Sequence, residues 1–118
     1  MKLFDSEFRL MELIWAEDGL TAKALSLRAG EAIGWNKNTT YTVLKKLVEK
    51  GAVERVEPGF RCKALISRGE VAREETAGLI DKLFDGSRKA FFAAFLEQEK
   101  LSGAELDELR AMIDSHEK

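Results

Sequence analysis

The sequence predicts a mainly α-helical protein with a small β-hairpin: a winged helix-turn-helix followed by a C-terminal helical dimerisation region. Three observations carry this expectation. Apolar residues recur at helical spacing through most of the chain, and Ser, Thr, Asn or Asp stands ready to cap most of those runs. Two short extended segments flank Pro58-Gly59 and break the helical pattern. The charge is divided: the whole carries −2, yet residues 1–69 carry net +3 and residues 70–118 net −5. The expected organisation is therefore a winged-helix DNA-binding domain at 1–68 and a helical dimerisation region at 69–118.

The elements follow in order. "SEFRLMELIWA" places Phe8, Met11, Ile14 and Trp15 at helical spacing, with Ser6 or Asp5 as the cap. "EDGLTA" interrupts it, and Thr21 caps a shorter second helix running to about Ala29. "GEAIGW" reads as a Gly-punctuated turn. Asn36 then caps a third helix that ends at Lys50, with Gly51 as the residue after its C-cap. Thr40, Val43, Leu44, Leu47 and Val48 share one face of it. "AVERVE" and "FRCKALI" read as strands around a type II turn with Pro58-Gly59 as its central pair. Ser67 with Glu70 opens a helix to about Phe84, "DGS" ends it, and a helix carrying Phe91, Phe92, Phe95 and Leu96 follows. Ser102 with Glu105 opens the last helix, with Leu106, Leu109, Met112 and Ile113.

Composition excludes several classes. With 45% apolar and 34% charged residues, the chain can bury a core without staples. A single cysteine, Cys62, allows no internal disulfide and fits a reducing cytoplasm. Acidic and basic residues break every apolar run in "MKLFDSEFRLMELIW", which is neither signal peptide nor membrane span, and no stretch approaches the ~18 apolar residues a span needs. Cys62 and the only histidine, His116, are far apart, the carboxylate pairs at 74–75 and 107–108 look like solvated faces, and no Gly-rich phosphate loop is present. No catalytic residue, cofactor or metal is expected.

Function is expected on the third helix. "GWNKNTTYTVLKKLVEKG" holds four lysines and three threonines but one carboxylate, and residues 36–68 carry net +5. A solvated helix mixes its signs, whereas one lying on a polyanion does not. Lys37, Lys45 and Lys46 can neutralise phosphates of double-stranded DNA with release of counterions. Asn36 and Lys37 stand at the positive end of the helix. Asn38, Thr39, Tyr41 and Thr42 can reach base edges or thymine methyls in the major groove. Arg55, Arg61 and Lys63 of the hairpin would grip neighbouring backbone. Against this stands an ordinary exposed helix kept soluble by its lysines, or a winged-helix adaptor docking on an acidic protein without sequence-specific DNA binding.

Leu79, Ile80, Leu83, Phe84, Phe91, Phe92, Phe95 and Leu96, with Leu106 and Leu109, exceed what three short helices bury among themselves. A second copy of the chain is the expected partner, presenting two reading heads in two-fold symmetry to a palindromic operator. A tail folded back on the head is the alternative.

Four collinear features also resemble the penicillinase repressors (BlaI/MecI/CopY type): "SEFRLMELIW"; W-x-x-x-T-x-x-T-x-L-x-x-L-x-x-K-G from Trp35 to Gly51; "FDGS" at 84–87; and LS-x-x-EL-x-EL from Leu101 to Leu109. The resemblance implies a cytoplasmic, dimeric transcriptional repressor whose third helix reads DNA through Lys37, Asn38, Thr39 and Thr42. It also implies a membrane sensor protease as partner, since some members are inactivated by cleavage of an Asn-Phe bond in the dimerisation region; this chain reads Ala94-Phe95 there. The Cys-x-Cys tail of copper-responsive members is absent, and around Cys62-Lys63 the frequent tyrosine of the wing is replaced.

Overall fold

A computed structural model describes residues 1–117. The element order is α1 (Asp5–Ala16), α2 (Ala22–Ala32), α3 (Lys37–Glu49), β1 (Val53–Val56), β2 (Arg61–Ala64), α4 (Arg68–Phe84), α5 (Arg88–Gln98) and α6 (Gly103–His116). The chain divides into two compact units, Met1–Thr76 and Ala77–Lys118. The division falls inside α4, whereas the sequence suggested a boundary at 68/69, where that helix begins.

The first unit is a winged helix-turn-helix. Its core joins Leu10, Met11 and Ile14 of α1, Leu25 and Ala29 of α2, and Val43, Leu44 and Leu47 of α3. Val53 and Cys62 close it from the hairpin, and Val71 from the start of α4. Trp15 ties the exit of the hairpin down by donating its indole N–H to the Ile66 carbonyl at 2.8 Å.

Local chemistry sets the helix ends. Neither Ser6 nor Asp5 caps α1: Phe4 occupies the N-cap, and the Glu7 carboxylate accepts its backbone N–H at 2.8 Å. Glu7 alone thus supplies the returning half of a capping box, because Phe4 has no side-chain acceptor to offer. Thr21 caps α2 as expected, through the Ala24 N–H at 3.1 Å. That helix runs to Ala32 rather than Ala29, so part of the expected turn is helical. Gly30 is tolerated inside it where Trp35 passes close: a Cβ there would lie 3.6 Å from the Trp35 carbonyl. Asn36 caps α3 through the Thr39 N–H at 2.8 Å, and Gly51 follows the C-cap at φ +80°.

β1 and β2 pair antiparallel, with Val56 opposite Arg61 and Arg55 opposite Cys62. The strands are shorter than expected and residues 57–60 connect them. Gly59 has positive φ, as a type II turn asks of that position, but Phe60 has φ +48° as well. Phe60 consequently leaves the ladder, and its carbonyl accepts the Ala22 N–H at 2.9 Å. Cys62 exchanges backbone bonds with Leu20 and Gly19, so β2 lies between β1 and the segment that enters α2.

In the second unit Asp85 and Gly86, both at positive φ, end α4, and the Gly86 N–H returns to the Ile80 carbonyl at 3.1 Å. Ser87 caps α5 through the Ala90 N–H at 3.0 Å. Ser102 and Glu105 exchange both bonds of a capping box at 3.1 Å. The rings of Phe84 and Phe91 meet edge to face, 5.5 Å between centroids.

Candidate nucleic-acid interface

Helix α3 sorts its residues by face. Thr40, Val43, Leu44 and Leu47 are buried, while Lys37, Asn38, Thr39, Thr42, Lys45 and Lys46 are exposed. The buried Thr40 hydroxyl is satisfied by donating to the Asn36 carbonyl at 3.1 Å. Among the described residues no carboxylate lies within ion-pairing distance of Lys37, Lys45 or Lys46. Lys37 instead lies 5.6 Å from the centroid of the half-buried Tyr41 ring. Three ammonium groups therefore project from one helix without an ion-pair partner among the described residues.

Two of the polar residues have a structural task too. The Asn36 side-chain oxygen is committed to the cap, which leaves its amide N–H groups to face a phosphate. Thr42 donates its hydroxyl to the Asn38 carbonyl at 2.9 Å, leaving its methyl and its oxygen lone pairs for a base edge. Asn38 and Thr39 make no side-chain hydrogen bond among the described residues.

The wing is divided. Directly opposed residues share a face of a sheet, so Arg55 lies on the face of buried Cys62, while Arg61 and Lys63 lie on the other. Arg55 is held by Glu57 at 2.5 Å and stacks 4.2 Å from the Phe60 ring centroid. Arg61 donates to the Gly19 carbonyl at 3.1 Å, and Lys63 stands opposite Glu54. Arg55 and Arg61 are thus partly engaged at home, whereas Lys63 makes no side-chain hydrogen bond or ion pair among the described residues. A groove of about 620 Å³ runs between the wing and α3, floored by Ala22, Leu44 and Val48 and walled by Tyr41 and Phe60.

Lys50, the fourth lysine, turns inward to Glu7 at 2.6 Å. Sequence reasoning missed this pair, because nothing in the sequence names Glu7 as the partner of a lysine 43 residues away. Cys62 is buried and its thiol is pushed up to about 11 by desolvation, an environment for packing and not for nucleophilic chemistry. Among the described residues no group of three His, Cys, Asp or Glu side chains could hold a metal ion, and no helix is long and apolar enough to cross a membrane.

Of the expected dimerisation residues, Leu79, Leu83, Phe92, Phe95 and Leu96 are exposed, Leu83 by 64% and Phe92 by 58%. Phe84, Phe91, Leu106 and Leu109 are half-buried, and Ile80 is buried. Met112 and Ile113 add to the exposed set.

A three-helix head, a hairpin and a cationic third helix define a winged helix-turn-helix protein. The Penicillinase repressor family matches residues 3–115, and the chain belongs to that family. It is 23% identical over 117 residues to a Penicillinase repressor of Bacillus licheniformis, covering 98% of this chain and 91% of that one. The Methicillin resistance regulatory protein MecI of Staphylococcus aureus is 23% identical over 115 residues, covering 96% and 94%. Among solved structures, the DNA binding domain of the repressor BlaI superposes with a TM-score of 0.54 at 22% identity, over 58% of this chain and 87% of that one. Bacillus licheniformis BlaI in its monomeric form, in complex with the blaP half-operator, superposes with a TM-score of 0.51 at 21% identity, over 59% and 88%.

Proposed function

We propose that the chain is a DNA-binding transcriptional repressor that acts as a homodimer on a palindromic operator. Family membership supports repression, and a BlaI structure carrying half-operator DNA supports duplex as the ligand of this fold. The observation that carries the reading is the face of α3 on which Lys37, Lys45 and Lys46 remain unpaired beside Asn38, Thr39 and Thr42. Cations left free by the fold are available to phosphates, and the short polar groups between them suit the major groove. Each subunit would read one half-site, the two about one helical turn or a multiple apart. Arg61 and Lys63 would add backbone contacts; Arg55, clamped by Glu57 and Phe60, would add least.

The unburied apolar face of the second unit supports the homodimer. Leu83, Phe92 and Phe95 are the kind of side chain that an obligate interface covers. Blocking transcription by occupancy is work for the cytoplasm. A membrane sensor protease would have to accept Ala94-Phe95, within α5, in place of the Asn-Phe bond cut in some family members, a departure that argues against that route of control.

Selection from a pool of randomised duplexes tests this. A two-fold symmetric sequence should be enriched, with affinity falling steeply as salt rises. Lys45→Glu should weaken binding to every duplex. Asn38→Ala or Thr42→Ala should instead shift sequence preference, each reducing discrimination between bases by about 1–3 kcal/mol. Weak retention that grows only with duplex length would point instead to an adaptor for acidic proteins.

A further inference from the structure

We propose that Glu7 and Lys50 form a positioning strut that fixes the tilt of α3 for DNA without touching it. The inference rests on the DNA-binding reading of α3. Lys50 is the C-cap of that helix. Its ammonium group reaches Glu7 Oε1 at 2.6 Å and the Lys2 carbonyl at 3.0 Å, and lies 4.5 Å from the centroid of the Phe4 ring. Two of its three N–H groups are bonded to oxygen and the cation lies against a ring, so little remains for an outside phosphate. The other end of the strut is more rigid still. Glu7 is 1% exposed, and the oxygen that takes Lys50 also takes the Phe4 N–H.

The energetics argue that this pair exists for geometry. The Glu7 carboxylate is buried while the Lys50 side chain stays 30% exposed, so the loss of hydration falls mainly on the carboxylate. Apolar residues of equal volume often serve stability as well as a buried charge, or better. Glu7 Oε2 is in addition buried with no hydrogen-bond partner among the described residues, a further cost on the carboxylate side. What such a pair provides, and a greasy contact does not, is a direction. It joins the first turn of α1 to the C-cap of α3. Leu44 and Leu47 bury the middle of α3, so restraining its C-terminal end sets the angle of the opposite part, about 12–20 Å away, where Lys37 to Thr42 stand. The three outward lysines make contact, and the inward one aims them.

The test compares Glu7→Gln, Lys50→Met and the double variant with Lys45→Gln, all below the melting temperature of the least stable. Binding to the selected duplex is measured across a salt series, and α3 amides are followed by hydrogen exchange without DNA. The strut predicts that Glu7→Gln and Lys50→Met each weaken binding about tenfold, with the double variant no worse than either. Their salt slopes should match the wild type, whereas Lys45→Gln, which removes a phosphate contact, should flatten the slope by about one. Exchange should quicken along Val43–Lys50 in Glu7→Gln and stay unchanged in α2. Equal affinity in folded variants overturns the strut, as does a flatter salt slope in Lys50→Met with normal binding by Glu7→Gln, which would make Lys50 a phosphate contact. If the wild-type chain binds no duplex, the DNA reading of α3 falls, and the exchange measurement still decides whether Glu7 restrains that helix.

Discussion

Lysines of one helix and its C-cap end in different environments because of what the core offers each of them. Among the described residues Lys37, Lys45 and Lys46 have no carboxylate within ion-pairing distance, while Lys50 finds Glu7 beneath it. Burial alone would raise the Glu7 carboxyl, but the Lys50 ammonium, the Phe4 amide and the nearby Lys46 together hold it below its ordinary 4.5. A carboxyl lowered by folding contributes stability above its unfolded pKa and loses it as pH falls through the folded value. The melting temperature of the wild type should therefore exceed that of Glu7→Gln at pH 7, and the gap should close in acid below about pH 4.5. Cys62 makes a second prediction at this scale. With its thiol raised to about 11 and its side chain buried, iodoacetamide at pH 8 should label it only after denaturant unfolds the chain. The outward residues of α3 were legible because period and charge reveal a face. The Glu7–Lys50 pair was not, since contact between distant positions depends on how α1 and α3 cross.

Helix boundaries were legible where a cap announces them. Thr21, Asn36, Ser67 and Ser102 each accept the backbone N–H expected of them, and the sequence carried those short polar side chains at fixed offsets. It misled where the backbone supplied the solution. Phe4 caps α1 only through Glu7, and the third backbone partner of the wing, Leu20, sits in what reads as a polar interruption. Two or three residues in extended form have no period to detect. The C-terminus of α3 offers a clean test of the backbone at this scale. Gly51 holds φ +80° with open space where a Cβ would stand, so only the backbone conformation opposes a side chain. Gly51→Ala should lower the unfolding free energy by about 1 kcal/mol in a denaturant titration, with no change in the salt slope of DNA binding.

At the scale of the molecule the chain holds two units of different character. The first buries a continuous core, and its helix order and hairpin were readable from periodicity and turn residues. The second leaves Leu79, Leu83, Phe92, Phe95, Leu96, Met112 and Ile113 exposed, an amount of apolar surface that isolated monomers rarely show to water. The sequence made that surplus visible by simple inventory. Leu83→Glu together with Phe92→Glu should convert a sedimenting dimer to monomer while leaving the first unit folded, and a wild-type chain already monomeric at micromolar concentration would refute the two-copy reading. Sticky helices of this kind also turn a gene's output into a threshold. Once the chain is diluted below the concentration at which pairs come apart, mass action makes paired chains scale with the square of free ones. In that range halving synthesis would cut the operator-competent form about fourfold, and growth and division after synthesis stops could lift repression sharply.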